Sequence, residues 1–347
     1  MARKIVGLDI GTTAVRAAEV SVRRGQVVLE RIGQAGLPGG AVVDGEVKDP
    51  TAVAIAIKDL WRRTRISSRR VIIGVANQRV VVRLVDLPWM PPSELRSSLG
   101  FQAGDYLPIP VDQTELDFAV IGEQEATDGQ RLLRVLLVAA AKEMLAGHLE
   151  AVREAGLRPA GIDLNPIALL RSLGPTAGFE EGAEALVDVG ARVTNMVVHD
   201  NGVVRFVRIL LMGGEDITST LERVLEVDRD TAERTKLAAS AGNEVGAEAG
   251  DLVAQRLEVF VEEVRGSLDF YRSQQDATPL GRVVVSGGGS LLGPLVERLQ
   301  AAIGVPVERG RILAGVRVGR LGLDAEALAA LEPTIAVPVG LAMRAVA

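Results

Sequence analysis

Three short stretches bring together residue types that can hold a ligand against bare backbone. Ile5-Val-Gly-Leu-Asp-Ile-Gly-Thr-Thr runs an apolar, strand-like segment into Asp9 and then into the small turn Gly11-Thr12-Thr13. Ala185-Leu-Val-Asp-Val-Gly-Ala-Arg repeats that arrangement, so Asp9 and Asp188 each end an apolar run two residues before a glycine. Arg282-Val-Val-Val-Ser-Gly-Gly-Gly-Ser-Leu leads another apolar strand into Gly287, Gly288 and Gly289, with a helix expected from about Leu291. Glycine lets a ligand approach the main chain, and a helix N-terminus offers unpaired N–H groups. Two common phosphate sites do not fit. The G-x-G-x-x-G spacing is not met, and only 58 residues follow Gly289, which argues against a dinucleotide-binding fold built on that turn. None of the five lysines follows a glycine, so there is no P-loop. The plain alternative is that the two carboxylates cap turns and the glycines only bend the chain.

The surrounding elements must position these stretches. Ile5–Ile10, Ala14–Val20 and Val27–Ile32 read as strands of an antiparallel meander, with a polar turn at Arg23-Arg24-Gly25. Val53, Ile57, Leu60 and Trp61 lie on one face of a helix over Thr51–Thr64, and Val71–Val75 is a buried strand. An αβ insert follows from about Asn77. It has a strand Val80–Leu87 and a helix capped by Ser93, which carries Leu95, Leu99, Gln102 and Tyr106. Strands near Glu115–Ile121 and Leu132–Ala140 join through Thr127-Asp128-Gly129, and a helix from Lys142 closes at Gly156. After a helix Pro166–Leu173 and a Gly/Pro-rich break, the opening pattern returns with strands Thr194–His199 and Val203–Ile209. Residues 214–281 are mostly helical. Asp230-x-x-Glu233 has capping-box spacing, and Leu257, Val261, Val264, Leu268 and Tyr271 form a core-facing stripe. A strand-turn-strand pattern repeated half a chain apart predicts two related domains facing each other.

Composition narrows the function. A chain of 347 residues, 48% hydrophobic, has enough material for two domains and a substantial core. A net charge of −6 argues against a grip on nucleic acid. The absence of cysteine removes disulfides, thiolate metal sites and cysteine nucleophiles. His148 and His199 each stand alone, which gives no basis for a zinc site or a Ser-His-Asp triad. The opening MARKIVGLDIG reaches Asp9 too soon for a signal peptide. The longest apolar run, Val135–Ala141, falls well short of the ~18–20 residues of a membrane span. The expected location is the cytoplasm.

In this order, D-I-G-T-T, D-V-G and V-V-S-G-G-G-S resemble the phosphate-one, phosphate-two and adenosine motifs of the actin/heat-shock-chaperone/sugar-kinase superfamily, and the resemblance covers the whole chain. It implies an α/β, actin-like (ribonuclease H-like) duplicated two-domain fold with ATP and Mg²⁺ in the cleft. Backbone N–H groups of Gly11, Thr12 and Thr13 and of Gly190 and Ala191 would then grip the β- and γ-phosphates. Asp9 and Asp188 would share one Mg²⁺, through its waters. Gly287, Gly288 and Gly289 would lie along the nucleoside. Glu233 and Lys236, three apart on one helix face, match the residues that meet ribose and adenine, with a solvated ion pair as the alternative.

Within the superfamily, the insert resembles those of FtsA and PilM. The match to the PilM family of type IV pilus assembly is carried by four stretches: D-L-P-x-M-P-P-S-E-L; Y-L-P-I-P-V-D-Q-T-E-L-D-F; Leu211-Met212-Gly213-Gly214-Glu215-Asp216-Ile217-Thr218; and P-V-G-L-A-M-R. In that family Gly213 and Gly214 close the cleft from the second domain. The resemblance divides the chain into a first nucleotide-binding subdomain (1–76 plus 163–182), an inserted partner-binding subdomain (77–162), a second nucleotide-binding subdomain (183–216 plus 282–347) and a helical subdomain meeting the nucleoside (217–281). It implies a cytoplasmic adaptor with slow or no ATP hydrolysis. Such an adaptor holds the short cytoplasmic tail of a PilN-type inner-membrane protein between the first subdomain and the insert, and meets the membrane only through that partner. Self-association is left open. Two alternatives stand beside this reading. One is an FtsA-like cell-division protein lacking its membrane helix, since only Ala345-Val346-Ala347 follow Arg344. The other is a small-molecule kinase of the same superfamily, against which the insert speaks.

Overall fold

Apolar residues on both faces of Lys4–Ile10 force that strand, β1, into the middle of a sheet. The computed structural model describes residues 4–126, 129–174 and 182–344. The expected turn at Thr127-Asp128, the break at 175–181 and the ending 345–347 therefore lie outside the described residues. β2 (Ala14–Arg23) and β3 (Gln26–Gly36) continue from β1 as the expected antiparallel meander. A small hairpin, β4 (Val42–Val43) with β5 (Glu46–Val47), leads into α1 (Pro50–Thr64). Asp49 caps that helix by accepting from the Ala52 N–H, and Val53, Ile57 and Leu60 bury its inner face. β6 (Arg70–Val75) then returns parallel to β1.

The insert follows as β7 (Val80–Pro88), α2 (Pro92–Gln102), β8 (Thr114–Glu125) and β9 (Arg131–Ala141), after which come α3 (Lys142–Glu154), β10 (Arg158–Leu164) and α4 (Asn165–Leu173). The three strands form their own antiparallel sheet in the order β7-β9-β8. Leu95 and Leu99 of α2 pack on its Val85, Leu87, Val135 and Leu137. Two local expectations change. α2 starts at Pro92 with no side-chain cap, so Ser93 does not cap it, and Tyr106 lies on a separate short turn after the helix. Gly156, at φ 77°, ends α3 as expected. The boundary of the insert also moves. Ala151 and Val152 of α3 complete the core under α1, and β10 pairs parallel with β6. Among the described residues the separate sheet and α2 lie within 80–141, while α3 and β10, which fall inside 77–162, belong with the first half.

The second half repeats the first: β11 (Ala183–Val189), β12 (Thr194–Asp200) and β13 (Val203–Leu210) are antiparallel. Helices α5 (Gly214–Leu225), α6 (Arg229–Ser240) and α7 (Ala247–Arg272) come next, with the α7 stripe from Leu257 to Tyr271 fully buried. Asp228 caps α6 by accepting from Thr231 N–H, so the expected Asp230–Glu233 box is not the cap and both carboxylates face the cleft instead. β14 (Leu280–Ser286), α8 (Leu295–Ile303) and β15 (Val307–Arg309) complete this half, followed by β16 (Arg317–Val318), α9 (Ala325–Leu331) and α10 (Ala336–Met343). The sheet orders β10-β6-β1-β2-β3-β16 and β13-β12-β11-β14-β15 share one plan, with the parallel returns on the same side of each meander.

The end of the chain leaves that second half. β16 pairs parallel with β3, and α10 lies against β1 and α4. Two glycines permit it: a Cβ on Gly7 would stand 2.0 Å from Pro338 O, and one on Gly340 1.8 Å from Ala168 O. β16 and α10 thus pack with the first half, within a stretch, 282–347, expected wholly in the second, while the turn before α10 stays tied to the second half through the Gly287 N–H to Pro333 O hydrogen bond. Among the described residues no single helix is long and apolar enough to cross a membrane.

Candidate functional site

The turns that end β1 and β11 are built alike. Gly11 N–H donates to Ala14 O at 3.0 Å and Gly190 N–H to Val193 O at 3.1 Å. Both turns line one cleft of about 500 Å³, together with Asp9, Thr12, Thr13, Asp188, Ala191, Gly214, Glu233, Lys236 and Gly287–Gly289. Of the expected site residues, Gly213 alone lies off this wall.

The expected set of donors changes in detail. Gly11 and Gly190 use their N–H groups to close the turns, Gly213 donates to Asp216 Oδ2 at 2.8 Å, and Gly214 donates to Gly190 O at 3.1 Å. The N–H groups of Thr12, Thr13 and Ala191 have no acceptor among the described residues and point to the loops' capacity for an anion. Gly213 and Gly214 brace the Gly190 turn from behind, where a Cβ on Gly213 would lie 2.3 Å from Gly190 O.

Strand register fixes the neighbours of each carboxylate. Asp9 stands opposite Arg16 and Gly74, and Asp188 opposite Asn195 and Ser286. Asn165 Nδ2 donates to Asp9 Oδ1 at 3.3 Å, Arg16 Nη1 lies 3.8 Å from Asp9 Oδ2, and Ser286 Oγ donates to Asp188 Oδ1 at 2.8 Å. Burial pushes the Asp9 carboxyl up to about 6; the Asp188 charge adds to this, while Arg16 and Asn165 oppose it. Burial raises Asp188 too, against the pull of Ser286, Arg16 and Asn195. Two carboxylates facing one cleft, Asp9 buried and Asp188 partly so, favour a cation between them.

Arg16 Nε, Asn165 Oδ1 and Asn195 Oδ1 are buried and without a hydrogen-bond partner among the described residues. Such atoms are uncommon, and here they cluster around one cleft. No group of three or more His, Cys, Asp or Glu able to cage an ion occurs among the described residues. An ion here would draw on two carboxylates and keep waters or ligand oxygens in its other positions, which suits Mg²⁺.

At the other end of the cleft, Lys236 is only 8% exposed. Its Nζ donates to Glu233 Oε2 at 2.7 Å, Thr218 Oγ1 at 3.0 Å and Gly214 O at 3.3 Å, which uses all three ammonium donors. The Thr218 hydroxyl donates to Glu233 Oε2 at 2.7 Å. Burial works against ionisation of Glu233, but Lys236 and Thr218 outweigh it and hold its carboxyl below the usual range. The pair is therefore a half-buried joint between α5 and α6, with Lys236 enclosed and the Glu233 side chain 42% exposed. Glu233 Oε1 remains as the polar atom it offers the cleft. Thr218→Val removes a hydroxyl from this joint and is expected to lower the unfolding free energy by about 1–3 kcal/mol in denaturant titration.

The glycine run divides by role. Gly287 sits at φ 82°, and a Cβ on Gly289 would lie 2.3 Å from Val189 Cγ1, so the fold itself requires both. A Cβ on Gly288 would meet nothing within 4 Å, which leaves its bareness to the cleft. Leu237 and Leu291, each about half exposed, stand on the same wall as apolar surface for a flat ring.

A larger groove, of about 1360 Å³, runs between β8 and β9 of the small sheet and α3, β10 and α4. Leu116, Val138, Leu145, Leu149, Ile162 and Ile167 make its apolar lining, with Glu115, Asp117, Glu150, Lys142 and Arg153 supplying both signs of charge. α3 serves both cavities: Leu145, Ala146 and Leu149 line the groove and His148 lines the cleft.

The family model for the type IV pilus assembly protein PilM matches residues 7–346. The chain belongs to the PilM family. This PilM-family chain is similar to a solved PilM–PilN type IV pilus biogenesis complex, with 30% identity and a TM-score of 0.87 over 99% of this chain and 98% of that one. It is 26% identical to the cell division protein FtsA of Streptococcus pneumoniae serotype 2, over 89% of this chain and 76% of that protein. MreB5 of Spiroplasma citri bound to ADP shares the fold, at 12% identity and a TM-score of 0.50 over 89% of this chain and 92% of that one. The actin-like, FtsA/PilM-type fold expected from the motifs is the fold observed.

Several residues of the cleft escape a motif reading of this PilM-family chain. Arg16 had a signal: a tight hairpin after Asp9 pairs it with the lone charge of Ala14-Val-Arg-Ala-Ala, on the same face. Ser286 and Asn195 follow from register in the same way once the second hairpin and the parallel return are assumed. His148 had none. It sits on a helix 40 residues before Asp188 (188 − 148), the nearest cleft motif by chain, its Nδ1 lies 3.2 Å from Met144 O, and burial lowers its pKa and keeps it neutral.

Proposed function

We propose that this PilM-family chain is an adaptor of type IV pilus assembly that binds ATP with Mg²⁺ in the cleft and a PilN-type cytoplasmic tail in the groove. The observation that carries the nucleotide reading is the pair of like turns presenting unpaired N–H groups beside the buried Asp9 and the partly buried Asp188. Thr12, Thr13 and Ala191 would hold the β- and γ-phosphates, and Asp9 and Asp188 would hold the metal. Gly288, Leu237, Leu291 and Glu233 would receive the nucleoside. The ion, when bound, neutralises the triphosphate and screens the two carboxylates from each other. The partner reading rests on the apolar groove and on the likeness to a PilM–PilN complex. Recruitment to the inner face of the membrane would then come through the partner.

Calorimetry on the purified chain tests both halves. ATP should bind only in the presence of Mg²⁺, and a synthetic N-terminal PilN-type peptide should bind with one-to-one stoichiometry. Equal ATP affinity with and without the metal would remove the carboxylates' role. Absence of peptide binding would remove the groove's.

A further inference from the structure

One guanidinium joins the two walls of the cleft. Arg192 follows the Gly190-Ala191 turn of the second half. Its Nη1 donates to Asp216 Oδ1 at 2.7 Å, while Asp216 Oδ2 accepts the Gly213 N–H at 2.8 Å, so the arginine is fixed to the brace behind the turn. Its Nε crosses to the first half and donates to Asp44 Oδ1 at 3.0 Å. Asp44 is equally well anchored. It occupies the tip of the β4–β5 hairpin at φ 50°, its carbonyl accepts from Asn77 Nδ2 at 2.5 Å, and a Cβ on the next residue, Gly45, would lie 2.0 Å from Ala76 O. Arg192 itself is not part of the cleft lining, whereas Gly45 and Ala76 are.

We propose that the Arg192–Asp44 ion pair is a latch that holds the halves closed over the cleft, so that a bound nucleotide leaves when it breaks; this rests on the nucleotide reading above. Each end is immobilised on a loop that shapes the cleft, and separating the halves must pull the charges apart. The pair is about one-third exposed on both sides, so its strength falls with added salt. Its loss should alter rates modestly and leave the fold intact.

The absence of cysteine makes the test direct, since Lys58→Cys on α1 and Glu248→Cys on α7 place one spin label on each half. Asp44→Asn keeps the side-chain shape, and asparagine tolerates the positive φ. In nucleotide-free protein, Asp44→Asn is expected to lengthen and broaden the label distance. With Mg²⁺ and a fluorescent ATP analogue, release should quicken about 2–5-fold and lose part of its salt dependence. Unchanged distance and unchanged release in Asp44→Asn would overturn the latch. So would faster release in Arg192→Gln with Asp44→Asn at wild-type values, which would make Arg192 a phosphate contact instead. If the analogue binds neither protein, the nucleotide reading fails, and the label distance in the free protein still decides the latch.

Discussion

The double variant Asp9→Asn, Asp188→Asn is expected to lose magnesium-dependent ATP affinity by at least about 100-fold, since even second-layer partners of a metal contribute 10–100-fold. It should nonetheless fold well. Asp9 is buried and its carboxyl is raised from 3.8 to about 6, so the folded state holds that proton more tightly than the unfolded chain does. The linkage sign follows: Asp9 leaves the fold at full stability below about pH 4 and progressively weakens it as pH rises to about 6. At ~1.4 kcal/mol per pH unit, the total is on the order of 3 kcal/mol. In protein free of nucleotide and metal, Asp9→Asn should therefore melt above wild type at pH 8, with the advantage disappearing near pH 4. Parallel melting temperatures for the two proteins across that range would show that the Asp9 carboxylate is not under strain.

Ala146→Glu is expected to weaken a PilN-type peptide by about 30–100-fold, because an occupant would have to cover a larger, hydrated carboxylate on an apolar wall, for which Lys142 one turn away compensates only in part. Ala146 is exposed on α3 at the groove, so the free protein loses no packing. ATP binding should stay at wild-type values, since Ala146 does not line the cleft. Phe101→Ser is the control: that side chain is 92% exposed on the insert and lies outside the groove, so peptide affinity should not move. Titration of the labelled peptide against the three proteins separates these outcomes. An effect of Phe101→Ser equal to that of Ala146→Glu would relocate the partner to the outer surface of the insert.

Much of the cleft was legible because its signals are local. Asp9, Gly11, Thr12 and Thr13 lie within five consecutive residues, and an apolar run ending in a small turn fixes a strand, a hairpin and a register together. The repeat at Asp188 made the duplication readable, and the α7 stripe gave its buried face. What misled was also local. Asp230 and Glu233 have capping-box spacing, yet Asp228 takes the cap because it lies where the chain leaves its extended conformation. Ser93 gave way to Pro92, whose fixed φ starts a helix without a side-chain acceptor.

By itself the sequence determined the three turns, their order, the paired acidic strand ends and the duplicated α/β plan, since each depends on residues within a turn or a strand of one another. Only the tertiary structure decided which amides of the turns stay free and that Gly213 braces the loop without touching the cleft. The same holds for α3 walling two cavities, Arg192 reaching Asp44, and the chain's last helix returning to β1. These pairings join residues far apart in the chain, and the packing of the two halves around α4 and α10 sets them. No local propensity or period carries that information.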